Sequence, residues 1–129
     1  MEESEKIQRT KDTAKLLFSS LKSGVGFDLW KKFDAGLARE LSLFFTGVLY
    51  SREVIPQVQR ELCAVASLTV LNRGHELRAH IHAAMNVGAS REAVAEVIFQ
   101  QVTYGGMPVV VEGLQILRDV LVERGEWSE

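Results

Sequence analysis

The chain has 129 residues, room for one domain rather than two, and its 47% apolar and 25% charged content excludes the disordered and low-complexity classes. Fifteen Lys and Arg against 17 Asp and Glu leave a formal charge of -2, too balanced for a nucleic-acid binder that works through a basic surface. A single cysteine, Cys63, rules out an intrachain disulfide and a cysteine-based zinc site.

The first residues, MEESEKIQRTKDTAKLLF, are acidic and polar where a signal peptide would be basic and then apolar. No apolar run approaches the length of a membrane span. The expectation is a soluble, cytoplasmic protein with neither nucleic acid nor membrane as a partner. Proline occurs only at Pro56 and Pro108, and no linker or repeat divides the sequence.

Periodicity is helical nearly throughout, so the fold class is all-α, a single domain of about six helices. Ile7, Ala14, Leu17, Phe18 and Leu21 form the first stripe, which breaks at Ser23-Gly24-Val25-Gly26. Leu37, Leu41, Phe44, Phe45 and Val48 mark one face of the next helix. Pro56 suits the first turn of a third helix, which runs to about Leu71 and is apolar almost all round, the pattern of a buried element. Asn72-Arg73-Gly74 ends it. A fourth helix spans about His75 to Val87, with Gly88 as its left-handed cap, and Ser90 caps a fifth. Gly105-Gly106 stops that one, and Pro108 opens the last, with Leu114, Leu117 and Leu121 inward. So many helices on so short a chain leave much flank uncovered, which predicts a homo-oligomer.

Polar residues that break the pattern are the functional candidates. All three histidines lie in GHELRAHIHAAMNVG. On a helical wheel Glu76 and His80 are neighbours on a stripe that continues into Ala83 and Val87, while His75 and His82 fall on the far side with Arg78 and Asn86, as solvated residues would. The Glu76/His80 spacing fits a bridging pair at a helix boundary, and equally a general acid/base pair in which a carboxylate sets the imidazole's tautomer. Glu61 shares a stripe with Val65 and Leu68, so it is paired, protonated or at a cavity; an interhelical or intersubunit ion pair and a catalytic role both fit. His75, Glu76, His80 and His82 do not converge on one helix, so no metal site is expected. Cys63, within ELCAVAS, reads as an inert core cysteine.

The stretches FDAGLARELSLFFTGVLYSR, RELCAVASLTVL and HELRAHIHAAMNVGASREAVAEVIFQQVTYGGMP resemble the carboxymuconolactone decarboxylase family of the alkylhydroperoxidase-like superfamily. The likeness covers roughly three-quarters of the chain, from Phe33 to about Glu126. It implies an alkylhydroperoxidase-like helical fold, assembly as a trimer or hexamer, and sites near helix and subunit junctions. Residues 1–26 then read as an N-terminal helical extension and 27–129 as the family domain.

The superfamily's peroxidase pattern, Glu-x11-Cys-x-His-Cys-x3-His, falls on Glu61, Arg73, His75, Glu76 and His80. Both cysteine positions are lost, which excludes a two-cysteine peroxidase cycle. The decarboxylase branch shares HELxxH. It implies cofactor-free loss of carbon dioxide from a small carboxylated lactone or keto acid, with Glu61, Glu76 and His80 as the catalytic residues. Arg52 or Arg60 would hold a second substrate carboxylate, and Tyr104 would line the pocket. The alternatives are a redox protein using Cys63 and a non-catalytic helical oligomer in which the three polar residues are buried ion pairs.

Overall fold

The computed structural model describes residues 1–21 and 26–129. Among these residues it is all-helical, with seven helices of eight residues or more. They are α1 (Glu3–Phe18), α2 (Gly26–Phe33), α3 (Ala35–Phe44), α4 (Gln57–Val70), α5 (Gly74–Asn86), α6 (Arg91–Gln100) and, after the four-residue turn α7 (Val102–Gly105), α8 (Met107–Glu123). The short helix α2 has no counterpart in the sequence reading. Residues 22–25 of the expected break at Ser23-Gly24-Val25-Gly26 lie outside the described residues.

The helix at the centre is α5, with Leu77, Ala79, Ile81, His82, Ala83 and Ala84 all buried. Its small alanines let α1, α4 and α8 approach, and Ile81, Val65, Ile98 and Leu121 fill one core. The wholly covered helix predicted from the sequence is therefore α5 rather than α4. In α4 only the stripe Glu61, Val65 and Thr69 is buried, at i, i+4 and i+8. Cys63 lies off that stripe and is exposed, which corrects its reading as a core cysteine.

Caps occur where the residue types ask for them. Ser90 Oγ accepts from the Ala93 N–H at 3.0 Å, and Asp34 accepts from the Leu37 N–H at 2.9 Å. Gly88 closes α5 with φ 108°, a conformation that costs a side-chain-bearing residue energy. Pro56 is the N-cap of α4, one residue before the helix proper.

The N-terminal helix is part of the same core. Leu17 is fully buried, and Asn86 Nδ2 on α5 donates to the Leu17 carbonyl at 2.8 Å. Beyond α3 the chain makes a π-helical turn, Phe45–Leu49, closed by the Tyr50 N–H donating to the Phe45 carbonyl at 2.9 Å.

His82 is buried, contrary to its expected place in solvent, because the end of α8 covers it. Its Nε2 lies 2.8 Å from Glu123 Oε2, and Arg124 Nη1 lies 3.3 Å from its Nδ1. Arginine only donates, so Nδ1 accepts and Nε2–H donates to Glu123. Arg78 completes the network with a two-pronged contact to Glu123 at 2.8 and 2.7 Å.

The Arg78 hydrogen bond, with His82 adding to it, holds the Glu123 carboxyl below the usual carboxylate range. A lowered folded-state pKa stabilises the fold above the unfolded value of about 4.3, and that contribution is lost as pH falls through the lowered value. Arg78 and Glu123 are 36% and 38% exposed, so solvent screening keeps the contribution under about 1 kcal/mol. Urea midpoints between pH 6 and pH 3 are expected to fall less steeply in Glu123→Gln than in the native chain. Identical slopes would show that the network does not couple to folding.

Candidate functional site

The first turn of α4 and the middle of α5 bring Glu61 and His80 together. Glu61 is fully buried, and its Oε2 lies 2.7 Å from His80 Nδ1. The histidine's partner is thus on the neighbouring helix, 19 residues away in sequence. His80 has no hydrogen bond to Glu76 among the described residues. The second Glu61 oxygen, Oε1, is buried and has no hydrogen-bond partner there.

With Nδ1 engaged, Nε2 is the ring nitrogen left for other chemistry. The ring is fixed on both sides by aromatic contacts. Phe18 of α1 stands edge-on at 5.7 Å between centroids, and Tyr50 packs at 6.3 Å with the planes 60° apart. An imidazole held this way keeps one orientation, as a proton-transfer group requires.

His80 forms part of the wall of a cavity of about 500 Å³, a volume suited to a small organic molecule. Phe27, Trp30, Leu41, Phe45 and Leu49 supply an apolar lining, and Thr46, Tyr50 and Glu76 add polar groups. Glu76 is exposed at this cavity rather than locked to the imidazole. The three expected catalytic residues therefore divide into a tight buried pair and a separate carboxylate facing the same space.

The predicted substrate-binding residues fall elsewhere. Arg60 lines a second hollow of about 410 Å³, shared with Tyr50, Cys63 and His80. There its guanidinium carbon sits 5.9 Å from the centre of the Tyr50 ring, and Nη2 donates to the Arg52 carbonyl at 3.0 Å. The Arg52 side chain is exposed and lines neither hollow, and Tyr104 is 69% exposed on α7, away from both. Within one chain, Arg52 and Tyr104 do not meet the cavity.

Tyr50 is the residue that sequence reasoning missed. Burial, with the nearby Glu61 carboxylate adding to it and Arg60 opposing, pushes its phenol above the usual tyrosine value. The hydroxyl thus stays protonated at neutral pH and can donate a hydrogen bond. The available signal was weak, a lone tyrosine after an apolar run. Among the described residues no three His, Cys, Asp or Glu side chains converge in a way that would hold a metal ion.

The sequence model of the carboxymuconolactone decarboxylase family matches residues 35–119. The chain belongs to the carboxymuconolactone decarboxylase family. The match begins at the first residue of α3 and ends within α8, so it includes the Glu61–His80 pair, Glu76 and Tyr50. The chain is similar to 4-carboxymuconolactone decarboxylase of Acinetobacter baylyi, 29% identical over 93 residues that cover 72% of this chain and 69% of that protein. It is also similar to an uncharacterized 15.0 kDa protein encoded in the nqo9-nqo10 intergenic region of Paracoccus denitrificans. There the identity is 32% over 88 residues, 67% of this chain and 65% of the relative. No helix among the described residues is long and apolar enough to cross a membrane.

Proposed function

We propose that this family member is a cofactor-independent decarboxylase, or a related lyase or isomerase, acting on a small carboxylated lactone or keto acid. The observation that carries the reading is the buried Glu61 hydrogen-bonded to a histidine that faces an aromatic-lined cavity.

In such a reaction the bond to the carboxyl carbon breaks and carbon dioxide leaves. The electron pair moves through a conjugated alkene onto a carbonyl oxygen, so the substrate itself is the electron sink. One proton must then reach carbon. As an imidazolium paired with the Glu61 carboxylate, His80 gives that proton from Nε2, keeps Nδ1–H on Glu61, and is recharged by a proton from solvent. The apolar lining favours loss of a carboxylate as a neutral gas. Glu76 is placed to pass protons between cavity and solvent.

Assembly as a trimer or hexamer is part of the same proposal. Large apolar side chains on the single chain support it: Phe33, Leu71, Tyr104 and Met107 are each more than half exposed. Tyr104 would then act, if at all, from an interface.

Carbon dioxide release from 4-carboxymuconolactone by the purified chain is the direct test. Turnover is expected at micromolar enzyme. No release at high enzyme concentration would remove that lactone as a substrate.

A further inference from the structure

We propose that Tyr50 is a second catalytic group of this site, its phenol O–H donating a hydrogen bond to the substrate oxygen on which negative charge collects while His80 manages the proton. The inference rests on the decarboxylase reading above and assigns the substrate a class: an unsaturated ring carrying a carbonyl oxygen conjugated to the carbon that loses its carboxyl group.

Three independent placements converge on Tyr50. It is held by the π turn, whose carbonyl at Phe45 accepts the Tyr50 N–H and whose Phe45, Thr46 and Leu49 line the same cavity. Its backbone carbonyl is held in turn by the Gln57 side chain, which donates to it from the first turn of α4. Its ring lies between two fixed neighbours, His80 on α5 and the Arg60 guanidinium on α4. The hydroxyl makes no hydrogen bond among the described residues and is not enclosed by protein. A tyrosine fixed through its backbone and ring, with its hydroxyl unspent beside the imidazole, is preorganised to meet a developing charge.

The step balances without a further reactant. As the carbon–carbon bond breaks, the electron pair comes to rest on the carbonyl oxygen, where the phenol O–H stabilises it without giving up its proton. His80 then protonates carbon, the pair returns from oxygen to the ring, and the phenol is unchanged. The phenol's raised pKa agrees with this role, since the proton must stay on Tyr50.

The test compares two ligands by calorimetry. Tetronate is the enolate anion of a five-membered lactone, and 2(5H)-furanone is its neutral counterpart. The native chain is expected to bind tetronate more tightly. Tyr50→Phe is expected to lose about 10- to 100-fold in tetronate affinity, the effect of one hydrogen bond to a charged group, with furanone binding unchanged within about twofold. A Tyr50→Phe chain that keeps the tetronate preference overturns the role of Tyr50 and leaves the decarboxylase reading intact. Equal weakening of both ligands shows that Tyr50 only shapes the cavity and likewise overturns it. A native chain without preference for tetronate overturns the decarboxylase reading itself and this inference with it. Should Tyr50→Phe lose helix content by circular dichroism, Tyr50→Leu gives the same comparison.

Discussion

His80→Ala is expected to abolish measurable carbon dioxide release, a loss of at least about 100-fold, the usual worth of a positioned acid or base. It is also expected to destabilise the chain by about 3–5 kcal/mol, because removing one partner leaves a fully buried carboxylate uncompensated. Glu61 Oε2 would lose its partner, and Oε1 already has none among the described residues. Against a total stability of roughly 5–15 kcal/mol, that cost alone lowers the amount of folded enzyme. Activity loss in the alanine variant therefore does not separate chemistry from folding. His80→Gln does: its amide N–H can still donate to Glu61, so urea unfolding is expected to lie nearer the native curve. Turnover is expected to stay at the alanine level, because an amide does not exchange protons near neutral pH. Turnover retained in His80→Gln would show that the imidazole is not the proton carrier. Native turnover together with native stability in His80→Ala would remove the pair from both roles.

That double dependence explains how much of the site could be read before any coordinates. Glu61 announced itself because a carboxylate on the Val65 stripe has no place in a core without a partner. His80 announced itself by sharing a stripe with Ala83 and Val87. Their contact was hidden, since an intrahelical neighbour at i−4, Glu76, was the only partner that spacing could offer. Which helix lies across α5 is decided by packing, and the alanines at 79, 83 and 84 that permit the close approach of α4 carry no mark of which neighbour they admit. The same limit misplaced Cys63 and His82. Both were assigned by apolar neighbours on their own helix, whereas the burial of His82 is settled by Glu123 and Arg124 arriving from the far end of the chain.

The apolar stripe of α3 failed for a different reason. A wheel drawn at 3.6 residues per turn put Leu37, Phe44 and Val48 on one inward face, yet Leu37 and Phe44 are about half exposed, and the buried residues are Ala38, Leu43, Thr46 and Gly47. The π turn inserts a residue into the helical register and rotates everything after it. Helix existence survives such an insertion, but the inward face does not. Phe45, Leu49 and Tyr50 consequently reach one cavity, and Tyr50 enters the site through this local irregularity.

The π turn is held by a close contact with α1, and Gly47→Ala is expected to disturb both fold and site. A methyl group at position 47 would meet Thr10 Oγ1 and come within 2.7 Å of the Lys6 carbonyl oxygen. The threonine side chain can rotate, but Lys6 is backbone within α1, and its carbonyl already accepts the Thr10 hydroxyl at 2.7 Å. Relief therefore requires α1 and the π turn to separate. Overpacking of this kind costs typically about 1–3 kcal/mol, to be read from urea midpoints. Separation would also shift Phe18 on one side of His80 and Tyr50 on the other. Turnover is accordingly expected to fall further than the folded fraction does, since a small misplacement of oriented groups can cost orders of magnitude in rate. Thr10→Ala in the Gly47→Ala background should recover little, because the backbone clash persists. Full recovery in that double variant would mean that the clash is confined to side chains and that α1 does not set the geometry of the cavity.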